Sequence, residues 1–258
     1  MDFTLILTVD IGNTNITLGG FLNEKLNFVA RLSTDSGKTA DEYAIYLKDV
    51  LALNGFSGKI SGAVISSVVP IVEDKMNRAI IKLYGVTPII LGPGVKTGLN
   101  IKIDNPAQLG ADLAAGAVGA LEKYQLPSII IDMGTATTLT VINKKGEFLG
   151  GAIAAGLGTT LEALTQKTTL LPSVSVKAPK KSIGSNTVEC MQVGLVYGTA
   201  AMIDGLIDRF KEELNEEDVS LIATGGRAGE IIKYCKHKIT VDENLLLDGL
   251  YSIYKRNA

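Results

Sequence analysis

Two stretches of this chain combine a carboxylate, a glycine and a run of polar side chains: Asp10-Ile11-Gly12-Asn13-Thr14 and Asp132-Met133-Gly134-Thr135-Ala136-Thr137-Thr138. An aspartate at a strand end can hold a hard cation directly or through water. A glycine behind it lets backbone N–H groups approach phosphate oxygens with no side chain in the way. The hydroxyls of Thr14, Thr135, Thr137 and Thr138 and the amide of Asn13 add donors. A single Asp-x-Gly is ordinary turn chemistry. A repeated one is read as a pair of phosphate turns that clamp a triphosphate and its Mg²⁺, with Asp10 as a candidate Mg²⁺ ligand.

A third acidic station is Asp112, at the end of Asp104-Asn105-Pro106-Ala107-Gln108-Leu109-Gly110-Ala111-Asp112. Pro106 and Gly110 frame a loop, and a small-residue helix is expected from Ala114 to Leu121, so Asp112 falls near a helix N-terminus at the junction of the two halves. Phosphoryl transfer needs a group that orients and deprotonates an attacking hydroxyl, and a carboxylate there can do so. Spacing alone leaves a helix N-cap equally open. Thr224-Gly225-Gly226 after a strand would let a nucleoside lie against backbone, although a glycine pair there is more often a turn. Gly37-Lys38-Thr39 is not the end of a P-loop, because Leu32 stands where that motif needs glycine.

The elements that must carry these residues repeat as well. Leu5 to Val9 and Ile16 to Phe21 read as strands around an acidic elbow, and Ser128 to Ile131 and Thr137 to Ile142 repeat the arrangement. A shift of 122 residues superposes Asp10 on Asp132 and Gly12 on Gly134, which indicates an internal duplication. Asp41 to Leu53 has helical spacing, as does Leu195 to Leu214. Ala63 to Val69, Pro88 to Leu91 and Val219 to Ala223 read as buried strands. Alternating strands and helices predict an α/β layer architecture in two closely packed halves, residues 1–126 and 127–258, with a cleft between them.

Composition narrows the function. With 258 residues, 46% of them hydrophobic, the chain can bury a substantial core. A formal charge of −2 and no dense Lys/Arg run argue against nucleic acid as a partner. The start, Met1 to Ile6, lacks the basic region of a signal peptide, and no stretch approaches the roughly 18 uninterrupted apolar residues of a membrane span, so no membrane partner and a cytoplasmic location are expected. Cys190 and Cys235 are too few for a disulfide framework or zinc site. The one histidine, His237, lies in the basic Lys236-His237-Lys238 patch, a surface setting that leaves Ser-His hydrolase chemistry without a base.

Taken together, these motifs resemble those of the type III pantothenate kinases over nearly the whole chain. The resemblance rests on the two acidic turns, the Asp104–Asp112 loop, Gly150 to Gly156, Leu171-Pro172, Ile183 to Thr187 and Thr224 to Gly226, all in the family's order. It implies a duplicated actin-like (ribonuclease H-like) fold with ATP in the interdomain cleft, phosphorylation of pantothenate with ATP in the first step of coenzyme A synthesis, and a homodimer with shared active sites. It also implies residue roles. Asp10, Ile11, Gly12, Asn13, Thr14, Asn15, Ile16, Thr17 and Thr135 would contact ATP. Asp132 would bind an activating monovalent cation, potassium or ammonium, and Asp112 would accept the proton. Gly110, Ala111, Asp112 and Leu113 would line the substrate pocket, and Thr187 would reach the substrate of the neighbouring subunit.

Two positions depart from the pattern: Leu113 stands where the family has arginine and Ile103 where it has tyrosine. An arginine could hold a substrate carboxylate through a charge-assisted contact of roughly 1.5–3 kcal/mol, about 10- to 150-fold in affinity. Leucine offers none of this. Two further readings follow: a paralogous kinase for another hydroxyl compound without a carboxylate, and a nucleotide-binding regulator that has lost catalysis.

Overall fold

The computed structural model describes residues 5–56 and 58–258. The Met1–Thr4 part of the N-terminal reading lies outside the described residues. In chain order the strands are β1 (Leu5–Ile11), β2 (Asn15–Leu22), β3 (Lys25–Ser33), β4 (Ile60–Ser67), β5 (Ile89–Ile90), β6 (Asn100–Ile101), β7 (Ser128–Met133), β8 (Ala136–Ile142), β9 (Glu147–Ala155), β10 (Ser220–Thr224) and β11 (Thr240–Val241). The helices are α1 (Ala40–Leu53), α2 (Pro70–Tyr84), α3 (Ala111–Lys123), α4 (Leu157–Lys167), α5 (Thr187–Val193), α6 (Thr199–Leu214), α7 (Ala228–Ile231) and α8 (Leu245–Asn257).

The chain forms two compact units: residues 1–99, 104–122 and 244–258, and residues 100–103 and 123–243. Against a division at residues 126 and 127, β6 joins the second unit from the first half and α8 returns to the first unit from the end of the chain. Close helix packing explains the return. A β-carbon on Gly249 of α8 would overlap the Ala115 carbonyl of α3, and one on Gly119 would overlap the Leu245 carbonyl. Only glycine lets the two backbones approach this closely.

In the first unit the sheet order is β3-β2-β1-β4-β5, with β1 antiparallel to β2 and parallel to β4. Leu5, Leu7, Val9 and Ile11 alternate toward α1 and α2, where they meet Tyr43, Leu47, Met76 and Ile80. The opposite face is covered by α3 and α8. Val64 packs there with Ala114, Ala115, Val118, Leu250 and Ile253, and Tyr251 stacks on Phe21 with ring centroids 4.2 Å apart. Thr39 caps α1 in a capping box with Glu42, the structural role of the discarded Gly37-Lys38-Thr39 run.

In the second unit the order is β11-β10-β7-β8-β9-β6. With β6 set aside, this is the first sheet again: a first strand antiparallel to its hairpin partner and parallel to a later strand. Ile129, Ile131, Met133, Leu139 and Ala223 face a core that includes Leu157, Leu195, Ala200 and Ile203. The expected helix at 195–214 starts earlier, at Thr187, after the N-cap Asn186, and passes through a π-helical segment at Gly194–Gly198. The helical run Thr187–Leu214 is long and apolar enough to span a membrane by composition, but Leu195, Val196, Ala200, Ile203 and Ile207 spend that apolarity on the core. The strand expected at Ala63–Val69 ends at Ser67, because Val69 becomes the N-cap of α2 and Pro70 opens it.

Candidate active site

The first acidic turn is built by strand alternation. Val9 and Ile11 enter the core, so Asp10 faces the other side of the sheet, the side covered by α3 and α8, with Thr17 opposite it across the hairpin. The turn closes through the Gly12 N–H on the Asn15 carbonyl at 3.0 Å. Thr34 secures it, its hydroxyl donating to the Gly12 carbonyl at 2.7 Å and its N–H to the Thr14 carbonyl at 3.0 Å. Asn13, Thr14 and Asn15 are exposed, whereas Ile11 and Ile16 are core side chains that offer a ligand only their backbone.

The second turn repeats this chemistry with a different register. Asp132 stands opposite Thr138, where Asp10 stands opposite Thr17, so the second hairpin loop is one residue shorter. The 122-residue shift therefore holds for the first strand of each hairpin and becomes 121 on the second. The Gly134 N–H meets the Ala136 carbonyl at 3.0 Å, and the Thr135 carbonyl accepts from the Gly156 N–H at 3.1 Å and the Thr159 hydroxyl at 2.8 Å. Gly156 is the N-cap of α4, so the positive end of that helix abuts the turn. Gly225, at φ +90°, lies against Asp132 from the end of β10. The Thr138 hydroxyl, on the Asp132 face, is buried without a hydrogen-bond partner.

Asp112 lies in the first turn of α3 rather than at its N-cap, and its carboxylate accepts from the Leu113 N–H at 2.8 Å. This keeps the carboxylate beside the helix's positive end and partly exposed. Gly110 leaves room for it, since a β-carbon there would stand 2.6 Å from Asp112 Oδ1. The helix is held by the α8 crossing and by Glu122, whose carboxylate takes Arg256 at 2.6 Å and the Ser252 hydroxyl at 3.0 Å. These contacts hold the Glu122 carboxyl below its ordinary range. Asp10 and Asp112 thus belong to the first unit, with the helix of Asp112 on the sheet face that Asp10 presents.

Asp132, Thr135 and Thr187 belong to the second unit. Thr187 is exposed at the start of α5. Its approach is ordered by Glu189, which accepts from the Ser185 N–H at 2.9 Å and hydroxyl at 2.8 Å, bonds that lower the Glu189 pKa. Ile103 also falls in the second unit and Leu113 in the first. His237 is partly exposed and pairs with Asp208 at 2.7 Å.

Among the described residues no three His, Cys, Asp or Glu side chains cluster as a metal cage. Mg²⁺ brought in on a phosphate keeps several waters and needs only one or two carboxylates, and Asp10 with a neighbouring hydroxyl is a donor set of that kind. Ser66 Oγ, on β4 in register with Asp10, is buried without a partner, and sequence reasoning missed it because the signal is a parallel pairing of strands 56 residues apart.

The family model of the type III pantothenate kinases matches residues 6–209. A protein of Geotalea uraniireducens (strain Rf4) named type III pantothenate kinase is 43% identical over 254 residues, covering 98% of this chain and 99% of its own length. Among solved structures, a Campylobacter jejuni protein described as a Baf family transcriptional activator aligns with a TM-score of 0.64 at 19% identity, covering 97% of this chain and 98% of that one. MreB 5 of Spiroplasma citri bound to AMPPNP aligns with a TM-score of 0.52 at 11% identity, covering 98% and 96%. At these identities the two structures speak for the fold alone, which is the expected duplicated actin-like architecture.

Proposed function

The chain belongs to the type III pantothenate kinase family, and on that premise we propose that it transfers the γ-phosphoryl group of ATP to the 4′-hydroxyl of pantothenate, the first step of coenzyme A synthesis. The observation that carries this reading is the duplicated acidic turn, set at the end of the first strand of each β-hairpin beside a parallel neighbour. Ligands of open α/β sheets gather beyond the carboxyl ends of such strands.

We assign the ATP contacts to residues 10–17 and Thr135. Gly12 and Gly134 leave backbone close to the phosphates, Asn13, Thr14 and Asn15 supply exposed donors, and Ile11 and Ile16 act through their main chain. Bound Mg²⁺ supplies charge neutralisation for the phosphates, and Asp10 is the residue that would hold it, directly or through water. Asp132, with the unpartnered Thr138 hydroxyl on its face, is assigned to the monovalent cation, potassium or ammonium.

Asp112 is the base. The Leu113 N–H holds one carboxylate oxygen at 2.8 Å, leaving the other to accept the proton of the acceptor hydroxyl. As that hydroxyl oxygen bonds to the γ-phosphorus, the bond to the β-γ bridging oxygen breaks, ADP leaves with the electron pair, and the proton resides on Asp112. Gly110, Ala111 and Leu113 line the acceptor pocket on this assignment.

Thr187 is assigned to the substrate of a neighbouring subunit in a homodimer. Its exposure supports this, as do the exposed apolar side chains of the same unit, Ile153, Ile183 and Val188, which a second copy would cover. A cytoplasmic location accompanies a reaction that consumes ATP.

The test is incubation with pantothenate, Mg-ATP and potassium. Formation of 4′-phosphopantothenate by mass spectrometry is expected, and its absence would reject the reading. Leu113 favours one competitor, a paralogue acting on an alcohol without a carboxylate. A metabolite panel in which pantothenate alone is phosphorylated removes it.

A further inference from the structure

We infer that Ser66 is a positioning residue for the hydrated divalent cation that accompanies the nucleotide, an inference that rests on the phosphotransferase reading above. Ser66 is 0% exposed and its Oγ has no hydrogen-bond partner. A buried hydroxyl left without a partner is unfavourable, and native structures rarely keep one without a reason.

Ser128, Thr137 and Thr138 also keep buried hydroxyls without a partner, but the other hydroxyls around Ser66 in its own sheet are paired. Thr8 donates to the Gly19 carbonyl at 3.2 Å, Ser61 to the Leu5 carbonyl at 3.3 Å, and Ser67 accepts from the Val69 N–H at 3.0 Å. Ser67 is thereby committed to the entry of α2, and Ser66 is committed to nothing.

Its place in the sheet says what it awaits. Asp10 and Ser66 are register partners on adjacent parallel strands, and the preceding pair, Val9 and Ile65, both enter the core beneath α1 and α2. Alternation therefore turns Asp10 and Ser66 to the same, opposite face. The second unit repeats the pairing with Thr224 beside Asp132, so each acidic turn has a hydroxyl residue from the parallel strand next to it. A hydroxyl there can accept a hydrogen bond from a cation-bound water, or donate to the carboxylate that holds the cation. In both cases Ser66 acts through Asp10 and the hydration shell, never on the reacting atoms.

The experiment measures binding of Mg-AMPPNP to the full chain by calorimetry, with and without Mg²⁺, for wild type, Ser66→Ala and Ser66→Cys. Cysteine fills the site with a somewhat larger atom, where alanine empties it, and both lose most of the hydrogen bonding. Both variants are expected to bind the magnesium complex about 3- to 10-fold more weakly, the loss of one hydrogen bond. Both should bind the metal-free nucleotide as wild type does, and their urea midpoints without ligand should not fall. Magnesium-complex affinity equal to wild type in Ser66→Ala overturns the inference, as does a Ser66→Cys variant that binds like wild type or a loss that persists without Mg²⁺. A wild-type protein that fails to bind Mg-AMPPNP overturns the nucleotide reading itself.

Discussion

Gly225 lies so close to Asp132 that a β-carbon on it would stand 2.6 Å from the Asp132 Oδ1 and 2.7 Å from the Met133 backbone nitrogen. Its φ of +90° is one that side-chain-bearing residues rarely adopt. Gly225→Ala is therefore expected to destabilise the protein by about 1–3 kcal/mol in urea unfolding. It should also blunt the potassium or ammonium stimulation of turnover, because the carboxylate assigned to that ion must move. Unchanged stability and unchanged ion response would contradict both the packing and the assignment.

Asp112→Asn keeps a carbonyl oxygen for the Leu113 N–H and removes the proton acceptor. Turnover should fall by about 10²–10⁴-fold while nucleotide affinity stays within about twofold. A variant that retains activity would show that another group takes the proton.

Glu122 joins α3 to α8, and its carboxyl is held below the ordinary glutamate range, first by the hydrogen bond from Arg256 and then by that from Ser252. A depressed folded-state pKa contributes stability above the unfolded value and loses it as pH falls through the folded one. Wild type should thus be more stable than Glu122→Gln at pH 7, by about 0.2–1 kcal/mol for so exposed a pair, and the gap should close as pH falls below the ordinary glutamate range. Urea midpoints at several pH values measure it.

The two thiols should differ in reactivity. Burial, with a smaller contribution from the charge of Asp204, pushes the Cys235 pKa to about 12, whereas Cys190 is exposed. Alkylation of the native protein at pH 8 should modify Cys190 rapidly and spare Cys235 until the chain unfolds, because the thiolate is the nucleophile. Mass spectrometry of the modified peptides decides it.

Assembly has its own test. Light scattering should give twice the 27.2 kDa chain mass. Mixing Asp112→Asn with Thr187→Ala subunits should restore about a quarter of the activity, since half the dimers are mixed and each carries one intact site. An active monomer would refute the shared-site assignment.

Much of the site was legible because it is local. Asp10-Ile11-Gly12 and Asp132-Met133-Gly134 each announce a strand end and a tight turn within a few residues, and their recurrence revealed the duplication. The helix that carries Asp112 was expected from its small residues, though not that it would begin at Ala111 and take Asp112 into its first turn, since a shift of a few residues in the helix start separates an N-cap from a first-turn aspartate.

What the sequence by itself determined is the position of the acidic turns at strand ends, the duplicated strand pattern and the family. Tertiary structure decided three things that no local pattern encodes. It returned α8 to the first unit, because Gly119 and Gly249 allow a helix crossing between residues far apart in the chain. It shortened the second hairpin loop by one residue, which only cross-strand register reveals. It also set Ser66 beside Asp10 through parallel pairing, where partners are joined by a long crossover and share no short-range signal.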